Sequence, residues 1–159
     1  MFNFGTIGAY KQARNNPRCK ATTDLKNGQV VVLDEIKKEA SLPSADDVAG
    51  KDLWVVFNII DKPEVHSTND FNVKEGEFVR AFLLADLVGL PVQLGHQVVE
   101  DYDSLVAGDT LVVTTDGKWE KSSDASGNAI SLEVIAKTGF AEKGLDAIVH
   151  VSTTATGTP

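Results

Sequence analysis

One turn, written three times, constrains this chain more than anything else in it. The segments Leu25-Lys26-Asn27-Gly28-Gln29-Val30-Val31, Val73-Lys74-Glu75-Gly76-Glu77-Phe78-Val79 and Leu105-Val106-Ala107-Gly108-Asp109-Thr110-Leu111 share one order: an apolar residue, two others, glycine, a polar residue, then strand formers. Glycine takes a positive φ without steric cost, so Gly28, Gly76 and Gly108 mark points where the chain reverses and runs directly into a strand. Three such units predict a mainly β fold, a small β-barrel or β-sandwich with at most one or two short helices. The glycines are unevenly spaced, which fits turn chemistry recurring inside one domain and not a solenoid array.

The stretches between the turns supply the strands. Val30 to Leu33 is a short continuous apolar run, the pattern of a strand buried on both faces. The charged stretch Asp34 to Ala40 predicts one or two turns of helix, opening a surface excursion that lasts to Gly50. Leu53 to Ile60 is the most hydrophobic run and is expected to be a central strand, ended at Asp61-Lys62-Pro63-Glu64 because proline cannot donate to a ladder. Val65 to Asp70 is then a polar loop able to present His66, Thr68 and Asn69. Glu77 to Leu84 forms the next strand. Leu90 to Leu94 and His96 to Glu100 read as two short strands hinged at Gly95.

The C-terminal third carries the clearest hairpins. Asp109 to Thr114 and Lys118 to Lys121 flank Thr115-Asp116-Gly117, and Asp-Gly predicts a type I′ turn with Gly117 at its end and Trp119 packing across the pair. Ala129 to Thr138 and Leu145 to Val151 make a closing hairpin. Residues 152–159 are small and polar and are expected to form a flexible tail.

Charge separates the N-terminus from the rest. Net charge is −8, yet residues 1–23 hold Lys11, Arg14, Arg18 and Lys20 and no acid. Phe2, Phe4, Ile7 and Tyr10 accompany these cations, with Gly5 and Gly8 breaking any regular period. Residues 1–20 therefore read as an extended arm on an acidic β domain spanning residues 21–151. The arm is too apolar for an ordinary disordered tail, so it packs either on the domain's own flank or on a neighbouring chain. Its eight side chains, Phe2, Phe4, Ile7, Tyr10, Lys11, Arg14, Arg18 and Lys20, are the candidate partner-binding residues.

Motifs for chemistry are missing from the sequence. It has no Gly-x-Ser-x-Gly elbow, phosphate-binding loop, dinucleotide fingerprint or His-Glu-x-x-His pattern, and His66, His96 and His150 have no metal-ligand spacing. Asp46-Asp47 and the Glu100-Asp101-Tyr102-Asp103 cluster read as solvated loops, since neighbouring side chains rarely converge on one ion and an EF-hand needs a glycine and a distant glutamate. The single Cys19 supports no disulfide framework and reads as a buried, inert thiol. The acidic balance argues against nucleic acid as a partner. No run has the length of a membrane span, and the first ten residues lack the pattern of a secretory signal. The expectation is a non-enzymatic protein that folds without cofactor, metal or disulfide.

The progression from Ala21 through Gly28-Gln29-Val30-Val31, then Val73 to Ala81, then Gly108-Asp109 with Asp116-Gly117-Lys118-Trp119, and finally Leu132 to Ala136, resembles the small β-rich head-decoration, or cement, proteins of tailed bacteriophages. The likeness spans residues 20–151. It implies a virion structural protein made in the host cytoplasm that binds the outer surface of the major capsid protein lattice as a homo-oligomer, a trimer above all, and stabilises the shell. It also implies an N-terminal arm reaching neighbours. The long 34–50 insertion departs from a minimal decoration barrel. The competing readings are another particle component, such as a tail, fibre or baseplate barrel, or a host-surface adhesion module, and lastly a small β-barrel enzyme or ligand carrier.

Overall fold

The computed structural model describes residues 2–5, 13–65, 67, 70–138 and 142–151, with only the backbone of Phe4. The fold is mainly β, with one short helix among these residues. Its first half closes a five-stranded barrel from β2 (Asn15–Ala21), β3 (Val30–Asp34), β4 (Glu39–Ser41), β5 (Trp54–Val56) and β6 (Phe78–Leu83), in the order β2-β4-β3-β5-β6. Its second half lays down a six-stranded sheet from β7 (Pro91–Gly95), β8 (Thr110–Val113), β9 (Trp119–Lys121), β10 (Ile130–Thr138) and β11 (Gly144–Val151). The N-terminal β1 (Phe2–Phe4) completes that sheet, whose order is β1-β7-β11-β10-β8-β9.

Strand alternation explains how the two halves share a core. Val30 opposes Val55 and Val55 opposes Phe82, a row that faces the sheet, while Val31, Val56 and Ala81 point into the barrel. The apolar run at Val30 is buried on both sides for that reason. A five-stranded barrel is narrow, and its interior is filled mostly by small side chains, among them Cys19, Ala21, Ala40, Val79 and Ala81. Cys19 is buried, and that burial pushes its thiol pKa up.

The three glycine turns form as one device. Gly28, Gly76 and Gly108 have φ of 97°, 81° and 91°. In each, the residue after glycine returns its amide to the turn's first carbonyl, Gln29 to Lys26, Glu77 to Lys74 and Asp109 to Val106. The same residue's side chain accepts the turn's first amide, at 2.7, 2.8 and 2.9 Å. Each turn then exchanges a pair of backbone hydrogen bonds with one buried residue on another strand, Val56, Ala21 and Val134 respectively. The polar residue that follows each glycine thus replaces the missing ladder partner at the mouth of a strand.

Four expectations from the sequence are corrected. Asp34 to Ala40 is not helical: Asp34 Oδ1 accepts the amides of Ile36 and Lys37, at 3.0 and 2.9 Å, and the chain reverses into β4 with Lys38 at φ 63°. The 34–50 insertion is no mere excursion, because β4 pairs antiparallel with β3 and parallel with β2 and so closes the barrel. Beyond β4, the helix α1 (Ala45–Val48) is started by a Ser44–Asp47 capping box. The central strand is shorter than Leu53 to Ile60. It stops at Val56 because Asn58 takes over the ladder with its side chain, accepting from Arg80 N and donating to Phe78 O at 2.8 Å each. His96–Val98 is a 3-10 turn and not a strand. Finally, Thr115-Asp116-Gly117 is a three-residue loop with a positive φ at Gly117 alone, not a type I′ turn.

That last loop docks the sheet on the barrel. Val30 N donates to Gly117 O at 2.7 Å, Gln29 Nε2 to Asp116 O at 3.0 Å, and the buried Trp119 Nε1 to Gly28 O at 3.1 Å. Trp119 therefore packs across the interface between the two halves, beyond its own hairpin.

Candidate functional site

Residues 2–5 and 13–20 belong to the body and not to a separate arm. Phe2 is buried at the edge of the sheet, its ring edge-on to Phe57 with centroids 5.6 Å apart, and the Phe4 backbone pairs with Val92. Asn15 to Lys20 lie in β2, between β4 and β6. Ile7, Tyr10 and Lys11 fall outside the described residues, as do His66, Thr68, Asn69 and the 152–159 tail.

The cations expected to grip a partner are engaged within the chain. Arg14 grips Asp86 through Nε and Nη2, both at 2.9 Å, and its own amide donates to Asp86 Oδ2 at 2.8 Å. The guanidinium hydrogen bond, opposed by burial and helped by the amide, holds the Asp86 carboxyl below its usual range. Arg18 Nη2 reaches Glu35 Oε2 at 3.0 Å, beside the buried Asn16, whose Nδ2 donates to Glu35 Oε1. Lys20 Nζ stands 5.2 Å from the Phe78 ring centroid. An acid-free stretch of sequence thus meets its acids from other strands, at positions 35 and 86, a pairing that sequence distance conceals.

The acidic clusters are dispersed in the same way. Glu100 pairs with Lys118 at 2.6 Å and Asp103 with Lys143 at 3.5 Å, while Asp101 turns the chain at φ 48°. Asp47 is committed to the cap of α1. His150 Nε2 lies 3.0 Å from Glu133 Oε2 on an exposed cross-strand pair, and His96 Nδ1 is 3.2 Å from Lys143 O. Among the described residues no group of three or more metal-ligating side chains converges, and no helix is long and apolar enough to cross a membrane.

What the surface does present is apolar. Phe78 is 59% and Ile59 69% exposed. Asn58 anchors them to one place, because it precedes Ile59 and donates its side-chain amide to Phe78 O. Lys20 stands at the rim of this patch. Sequence reading placed Phe78 in a strand and passed over it, although its position beside the inward Val79 assigns it to the opposite, outer face. Ile59 was hidden by its place in an apolar run read as core.

Comparisons of the chain with protein-family models, with curated proteins and with solved structures return no match.

Proposed function

We propose that this chain is a non-enzymatic structural protein of a phage particle, a decoration protein that binds the outside of the assembled capsid as a homo-oligomer and stabilises the shell. The reading is supported by the turn-and-strand units that carry the resemblance, and above all by the Ile59–Phe78 patch on a rigid, acidic β body. Both residues lie beside hydrogen-bonded backbone, so little ordering is needed when they are covered. Burying each contributes about 1.5–3 kcal/mol before the costs of association. Modest affinity per copy is sufficient on a symmetric lattice, where linked copies raise one another's effective concentration. A closed barrel has no free edge of its own to pair with wrong partners, which suits a protein crowded in many copies.

The test is cosedimentation of the full chain with empty shells of the cognate major capsid protein. Saturable binding and a higher shell melting temperature are expected. Ile59→Ser with Phe78→Ser weakens binding at least about tenfold, roughly the loss of one well-buried apolar side chain, while leaving the protein's own melt unchanged. Absence of binding to the shell, or binding indifferent to the double substitution, overturns the reading.

A further inference from the structure

The β3–β4 hairpin separates two clefts of opposite character. Towards β5 lies a cleft of about 430 Å3, floored by the half-buried Val32, Leu33 and Trp54 and rimmed by Asp46 and Asp52. Those two aspartates make no hydrogen bond or salt bridge among the described residues, unlike Asp47 and Glu35 beside them. Towards β2 lies a cleft of about 600 Å3 lined by Lys20, Lys37 and Lys38. Between the two, Ile36 stands at the hairpin tip, 95% exposed.

The tip is held in shape without any help from Ile36. Asp34 accepts the amides of Ile36 and Lys37, and Lys37 Nζ reaches Asp34 Oδ2 at 3.4 Å. Lys38 occupies the left-handed region, which lysine adopts at a cost. A strained, fixed turn that aims an isoleucine and two lysines into solvent is complementary in both apolarity and charge to an apolar floor with a rim of free carboxylates. That complement is present on the same chain, on the other side of the same hairpin.

We propose that the β3–β4 tip is a head-to-tail interface between copies of this chain: Ile36 of one copy seats on the Val32–Trp54 floor of the next, whose Asp46 and Asp52 receive Lys37 and Lys38. Net charge of −8 makes copies repel unless a local cation-bearing surface meets an acidic one, and the tip is such a surface. Tip and cleft are different surfaces, so the contact is heterologous: each joined pair still offers one free tip and one free cleft, and the series ends only when a ring closes. This names the interface for the oligomeric part of the particle reading and rests on that part alone. It is measured without any capsid, so either can fail while the other stands.

Sedimentation velocity of the full chain, across concentration and at low and high salt, tests it. The expected result is a species larger than the monomer that dissociates as salt rises. Lys37→Glu with Lys38→Glu, and separately Asp46→Lys with Asp52→Lys, each raise the half-association concentration at least about tenfold. A chain carrying all four reversals reassembles, because its acidic tip now fits a basic cleft. Ile36→Ser, at a site that touches no core, weakens assembly without changing the melt. A wild-type chain that is monomeric at ~100 μM, a concentration at which even weak association registers, overturns the proposal. So does an oligomer indifferent to both reversals, or a four-fold variant that stays dissociated.

Discussion

The barrel and the six-stranded sheet use the same turn, yet their strands find one another in different ways. In the sheet, β8–β9 and β10–β11 are hairpins between sequence neighbours. In the barrel, β2 closes the circle by pairing Asn15 with Phe82 on one side and Lys20 with Glu39, in parallel, on the other. Only β3–β4 is a tight hairpin there. Closing long loops costs entropy before any contact rewards it. The barrel is therefore the half that depends on its first strand, while the sheet holds most of its pairing locally.

The largest expected effect follows from that difference. Deleting residues 1–20 removes β1 and most of β2, which opens the barrel and exposes the edges of β4 and β6. The truncated chain is expected to lose its cooperative melt and to aggregate through those edges. A truncated protein that melts within a few degrees of the full chain breaks the comparison, because β2 would then stand outside the cooperative unit.

What was legible in the sequence divides along the same line. Glycine turns and hairpins are local, so Gly28, Gly76 and Gly108, the β8–β9 pair and the β10–β11 pair all stand where the residues put them. The barrel strands were partly hidden because their partners are remote. Glu39 to Ser41 has no strand signature and becomes β4 only between β2 and β3. Asn15 to Lys20 looked like a basic arm because Glu35 and Asp86, which neutralise Arg18 and Arg14, are far along the chain. The exposed apolar patch was invisible for another reason: period-2 alternation tells which residues share a face, not which face is covered.

Two glycines sharpen the contrast between a joint and a free turn. At Gly117 (φ 69°) a Cβ would collide with the Val30 carbonyl at the contact between hairpin and barrel. At Gly76 (φ 81°) a Cβ meets open space. Gly117→Ala is expected to cost about 3 kcal/mol, combining the strained φ with a displaced backbone hydrogen bond. Gly76→Ala should cost about 1 kcal/mol through φ alone. Urea melts of both variants measure this, and equal costs would mean that the Gly117–Val30 contact does not couple the halves.

The three turns also differ in a way their shared backbone does not require. Gln29 accepts from Lys26 N and, with its other amide atom, donates to Asp116 O, so it binds the barrel to the hairpin; Glu77 and Asp109 have no such donor. Gln29→Glu keeps the turn and sets a carboxylate against a carbonyl, with an expected cost of about 1 kcal/mol at neutral pH. Glu77→Gln should be close to neutral there. If Gln29→Glu also melts like the parent, the side-chain link to Asp116 contributes nothing.

The smallest effect is acid sensitivity, and it divides the turns again. Glu77 is held below its usual pKa by the Lys74 amide first and then by Lys62, and Asp109 by Lys121 first and then by the Val106 amide. A depressed carboxyl contributes stability that is present above its unfolded value, about 4, and is lost as pH falls through the lower folded value. Gln29 has no such titration, so the first turn should be indifferent to acid while the second and third loosen. Asp109 is the better shielded of the two acids, with 12% of its side chain exposed against 44% for Glu77, and its ion pair with Lys121 is 2.8 Å long. Melting temperature measured from pH 7 down through the carboxylate range should therefore fall least steeply in Asp109→Asn, more steeply in Glu77→Gln, and most in the parent. Acid limbs that superimpose in all three proteins would place the titration elsewhere, with the Arg14–Asp86 pair as the next group to neutralise.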